Sequence, residues 1–158
     1  MLSLHYNMQN YLKEVRVPFS MSVSKAIYAG VIATLAAFLY SMLTDGFLFS
    51  WIYLIVPGAN IWNQVNAAWH VWNIVFLLVA NLFLAFIYVI LQESIPGVKY
   101  SKGAIFGIIV WIIHVLPSAF SAMLTMHVHM FVPVYWLISG IFKYLIIGLV
   151  LGGMLTKK

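Results

Sequence analysis

Four long apolar runs, none with an aspartate or glutamate inside, limit this chain more than any other feature. They cover residues 26–43, 69–91, 104–125 and 134–155. A helix needs roughly 20 mostly apolar residues to cross about 30 Å of hydrocarbon, and only a helix or a closed barrel satisfies its own backbone there. Barrel strands alternate polar and apolar residues, and these runs do not. The expected fold is therefore all-α: a polytopic membrane protein with a four-transmembrane-helix bundle, a single membrane domain over residues 1–158. Composition decides against the soluble alternative. Charged residues make up 7% of the chain, against about 25% in an ordinary soluble domain, which is too few to cover a surface in water. Cysteine is absent, which excludes disulfides, thiolate zinc sites and iron–sulfur clusters.

The connections fit the same arrangement. Residues 93–102 form a polar turn around the breaker Pro96-Gly97, and Pro133 suits the start of the last helix. Residues 44–68 are longer and less ordinary. Phe47 to Val56 is apolar and aromatic but too short to span, and Pro57, Gly58, Asn60, Asn63, Gln64 and Asn66 follow. An outer interfacial or re-entrant segment is expected there. Residues 1–24 mix apolar and basic side chains, so a cytoplasmic or interfacial segment lying along the inner surface is expected, with no cleavable signal peptide.

Orientation follows from charge. Lys13, Arg16 and Lys25 precede the first span, Lys99 and Lys102 lie between the second and third, and Lys157 and Lys158 follow the fourth. An even number of spans places all of these on one side, and the opposite connections carry Asp45 with no Lys or Arg. The positive-inside rule makes the basic side cytoplasmic, giving a multi-pass plasma (inner) membrane protein with cytoplasmic N- and C-termini. The net charge of +5 is then read as orientation signal and contact with anionic lipid, not as a nucleic-acid surface.

Lys143 is the residue that most suggests function. It stands near the middle of the fourth run, where a lysine costs on the order of 3 kcal/mol even on the lenient insertion scale. Asp45 and Glu93 fall at helix ends, so no carboxylate is expected at its depth. Asn81, His114 and Thr34 are the polar groups expected there, forming a midplane site for a small solute or ion. Lys143 is then a neutral amine bonded to Asn81 or His114, the cation of a wet cavity, or the mate of an acid in a partner's helix. Pro117 frees backbone carbonyls near His114 that Lys143 is also placed to satisfy.

A second group lies at the outer end: His127, His129, Met126 and Met130, with His70 at the start of the second span. Imidazole with thioether suits copper, and paired histidines suit haem, although no cofactor is expected as the first reading. No nucleophile–base arrangement and no phosphate loop is present, so an enzyme is not favoured. Gly148 and Gly152 have the G-x-x-x-G spacing of a helix seam, which offers a homodimer contact opposite the Ser139, Gly140 and Lys143 face.

Lys102-Gly103-Ala104-Ile105-Phe106-Gly107 through Trp111 and Leu116-Pro117, then Tyr135-Trp136-Leu137-Ile138-Ser139-Gly140 to Gly152-Gly153, resembles small uncharacterised four-helix integral membrane protein families of prokaryotes. The resemblance covers the second half of the chain and implies a membrane fold without an activity. Small multidrug exporters are similar in size, but they place an essential acid in a first helix that has none here. Three functions remain open from the residues: binding or translocation of a small solute or ion, an accessory subunit of a larger membrane complex using Lys143, and an outer-face copper or haem protein.

Overall fold

The computed structural model describes residues 23–55 and 67–156. The N-terminal segment, the polar stretch from Pro57 to Asn66, and Lys157 with Lys158 lie outside the described residues. Four α-helices make up most of the rest: α1 (Val23–Ser41), α2 (Ala67–Leu91), α3 (Lys99–Thr125) and α4 (Phe131–Leu155). A π-helical turn (Met42–Leu48) extends α1, and a 3-10 helix (Ser50–Leu54) follows it. There is no strand among the described residues. Taken with its π turn, α1 reaches 26 residues, and all four helices are long and apolar enough to cross a membrane.

Each observed helix contains the run expected for it, apart from two residues where the first passes from α into π geometry. The largest boundary difference is in α3, which starts at Lys99 and takes both loop lysines into the helix. Three local contacts explain the early start. Gly97 turns the chain at φ 102°, a backbone conformation that side chains disfavour. Ser101 then donates its N–H to the carbonyl of Val98 and accepts the Val98 N–H on its Oγ. Lys102 reaches back to the carbonyl of Gln92 at 2.7 Å, so its charge sits at the negative end of α2.

Small residues decide which helices meet. Ala26, Ala29, Gly30, Ala33, Thr34 and Ala37 form one buried stripe along α1, and α1 packs on both α2 and α4. The most extensive contact joins α3 to α4. There the backbones cross at Gly103 and Gly148, and a Cβ at Gly152 would stand 2.6 Å from the Lys99 carbonyl and 2.8 Å from Gly103 Cα. Gly148 and Gly152 therefore receive α3 of the same chain. Gly140 on α4 also meets α3, with its missing Cβ 2.9 Å from Val115.

The two ends of the molecule differ. At the basic end, Tyr88, Phe106, Ile147, Leu151 and Leu155 belong to one buried core. Tyr88 stacks edge-on against Phe106 and shares a 2.6 Å hydrogen bond with Thr156. At the opposite end a smaller core of Ile52, Val132 and Tyr135 ties the 3-10 helix to α4. A gap lies between the two cores.

Candidate functional site

An open cleft of about 290 Å³ lies against the middle of α4. Trp136, Ser139, Gly140, Lys143 and Tyr144 form its α4 wall, and His114, Val115, Ser118 and Ala119 form its α3 wall. Asp45 closes it from the π turn and Tyr53 from the 3-10 helix. None of the described residues of α2 lines it.

Asp45 is the feature that spacing on an ideal helix hides. A π turn is wider than an α turn, and such turns recur at functional sites. Here the seven-residue π turn is pinned by the Phe49 N–H to the Thr44 carbonyl at 2.8 Å. The turn aims Asp45 at the cleft, where Tyr135 donates to its Oδ1 at 2.5 Å. Asp45, expected at a helix end and not at the depth of Lys143, does lie at the end of its helix, yet within electrostatic reach of Lys143.

An aromatic layer holds this arrangement. Trp136 donates its indole N–H to Tyr53 Oη at 3.1 Å. Tyr53 meets Tyr135 edge-on at 6.2 Å, and Phe49 packs on Tyr135 at 5.2 Å. Burial, and then the Asp45 carboxylate, hold the Tyr53 phenol above its usual range, so it stays a neutral hydrogen-bonding group.

Of the midplane residues expected together, the structure brings two into the cleft. Lys143 and His114 both line it, and the His114 ring stands edge-on to Tyr144 at 6.0 Å. Neither the Lys143 ammonium nor the His114 ring makes a hydrogen bond to another described residue. Asn81 is fully buried elsewhere: its amide donates to the Leu77 carbonyl at 2.9 Å, and its backbone lies under Gly30. Thr34 donates to the Gly30 carbonyl at 2.8 Å. The carbonyl of His114 is taken by Ser118 Oγ, which also reaches Val115, and α3 runs on through Pro117. Lys143 is therefore not needed as the donor there.

No protein-family model, curated protein or solved structure matches this chain.

Two of the outer histidines have local contacts. His129 Nδ1 accepts the Phe131 N–H at 3.3 Å and its ring packs on Phe131, so this side chain serves the start of α4. His70 stands edge-on to Trp69. No three His, Asp or Glu side chains among the described residues gather as metal ligands do. The copper or haem site expected of His127, His129, His70, Met126 and Met130 gains no such three-ligand cluster among the described residues.

Tyr53, Trp136 and Ser139 are the cleft residues that sequence reasoning missed as a group. Ser139 was placed on the Lys143 face by helical spacing. The other two depend on where the 3-10 helix folds back, which no spacing in the sequence encodes.

Proposed function

We propose that this chain is a polytopic plasma-membrane protein that binds a small polar solute carrying an anionic group, with Lys143 as the residue that holds it. Four helices able to span a bilayer support the insertion. The basic residues at the Lys99 end support cytoplasmic termini, so the Asp45 end of the cleft lies toward the outer side.

One observation carries the reading. Lys143 sits at the centre of a span, lines an open cleft, and has no hydrogen-bonding partner among the described residues. An unpaired cation at that depth costs several kcal/mol, and intramembrane charges of this kind mark ligand sites more often than packing. His114, Ser139 and Tyr144 surround it with further polar atoms. The closed core around Tyr88 and Phe106 seals the basic end, so this state exposes the site to one side. Carriage across the membrane requires that core to part.

The test is a thermal-shift screen of the nanodisc-reconstituted protein against small anionic, zwitterionic and cationic solutes. At least one anion-bearing solute is expected to raise the unfolding temperature. Lys143→Met is expected to weaken its binding tenfold or more, about 1.4 kcal/mol. Failure of every solute, or equal binding by Lys143→Met, overturns the reading. A larger subunit that co-purifies stoichiometrically and is lost in Lys143→Met replaces it with the accessory-subunit function.

A further inference from the structure

The class of ligand can be narrowed, on the reading that the cleft is a binding site, from where the cleft opens and how its charges are ordered. His114 lines the cleft and is exposed, yet it stands near the middle of a 27-residue span. A group exposed at that level faces the hydrocarbon layer around the helices, not the water beyond their ends. The contact map agrees. α2 and α3 meet at Tyr88–Phe106 and Lys102–Gln92 near the basic end and make no extended contact beyond it. Among the described residues, the flank of the cleft is therefore open sideways. An imidazole with no partner facing bare hydrocarbon pays a desolvation cost of a few kcal/mol, which a polar headgroup at that level removes. From His114 toward the basic end α3 presents Ile105, Ile109, Ile112 and Ile113 outward, an apolar surface suited to hydrocarbon chains.

The charges have a depth order. Asp45 is bonded to Tyr135, whose Cα stands eight residues before Lys143 on α4, about 12 Å of helix rise at 1.5 Å per residue, so the carboxylate lies on the outer side of Lys143. Moving outward from the midplane, a ligand meets a cation first and an anion second. The aromatic rings of Tyr53 and Trp136 lie with the anion, and such rings favour an ammonium. Size gives a further limit. A cleft of about 290 Å³ holds roughly ten waters at liquid density, which is enough for a headgroup and too little for acyl chains.

We propose that the occupant is the headgroup of a zwitterionic phospholipid entering from the flank. Its phosphate lies against Lys143 and His114, its ammonium lies outward against Asp45 and the aromatic layer, and its chains stay in the bilayer along α3. The order of groups in such a lipid, chains then phosphate then ammonium, is the order of complementary groups in the protein. An anionic lipid lacks the ammonium and sets its outer polar groups against Asp45. A free zwitterion such as an amino acid shares the charge pattern but has no need of the open flank.

The experiment is native mass spectrometry of the full chain released from nanodiscs of equal phosphatidylethanolamine and phosphatidylglycerol. A parallel thermal-shift series uses free glycerophosphoethanolamine and free amino acids. Retention of phosphatidylethanolamine at least tenfold over phosphatidylglycerol is expected, and Asp45→Asn is expected to abolish that preference in protein that elutes as the wild type does. The wild-type preference stands alone should the variant fail to fold. Equal retention, or preference for the anionic lipid, overturns the proposal. Lys143-dependent binding of a free zwitterion with no lipid preference overturns the lipid and keeps the solute-binding reading. Loss of both lipid preference and solute binding overturns the two together.

Discussion

Lys143 and Asp45 pose one physical question at the scale of single residues: why a chain so poor in charge places two of its charged side chains in the same cleft. They lie within electrostatic reach without forming an ion pair at contact distance, and Asp45 is instead held by Tyr135. Removing one member of a tight buried pair strands the other and destabilises strongly, whereas replacing an unpaired buried charge by an apolar isostere removes its desolvation cost. The structure is of the second kind for Lys143. Lys143→Met is therefore expected to raise stability in detergent, by about 1–3 kcal/mol on the cost of a lysine at mid-span, while it weakens ligand binding. Thermal unfolding followed by tryptophan fluorescence reads this directly. A drop in stability would mean that Lys143 has a structural partner and would remove the main support for a ligand site. A gain in stability with a loss of binding is the pattern of a strained functional site.

The elements show which parts of the design the sequence exposes and which it conceals. The four long apolar helices were legible because length and continuous apolarity, the features a bilayer demands of a crossing segment, are written directly in the sequence. The start of α3 was misplaced because lysines look like loop residues until Lys102 is seen to serve the end of α2. Asp45 falls at a helix end by sequence, and depth alone hides that the π turn begun three residues earlier brings it to the cleft. Asn81 was grouped with Lys143 by depth alone, and depth does not say which helices are neighbours. Gly148 and Gly152 are legible as a seam from their spacing, and the helix they receive is α3 of the same chain. That contact has a measurable consequence. Gly148→Leu puts a side chain into the Gly103 backbone, and overpacking of this kind costs about 1–3 kcal/mol or more. The variant is expected to lose thermal stability with no change in oligomeric state by light scattering in detergent. A change of oligomeric state with stability kept would return the seam to a dimer interface.

At the scale of the whole molecule, the two cores make the structure directional. Around Tyr88 and Phe106 the helices close on one another, while beside Trp136, Ser139 and Lys143 a cleft is left between α4, α3 and the π turn. Water and polar reagents should therefore reach the cleft residues from the Asp45 end and be excluded from the buried basic end. The absence of cysteine makes this simple to measure, since any single introduced thiol is the only one present. Ser139→Cys, in the cleft, is expected to react with a membrane-impermeant maleimide added outside intact cells. Ala85→Cys, in the buried core, is expected to stay unlabelled from either side, and Ser101→Cys, exposed beside Lys102, to react only after the cells are opened. Labelling of Ser101→Cys from outside would invert the assigned orientation and put the cleft in the cytoplasmic leaflet. Labelling of Ala85→Cys would show that the basic-end core opens in the membrane. The same three thiols then report whether a ligand changes that closure. Protection of Ser139→Cys alone marks a binding site, whereas protection with new reactivity at Ala85→Cys marks the alternation that carriage across the membrane requires.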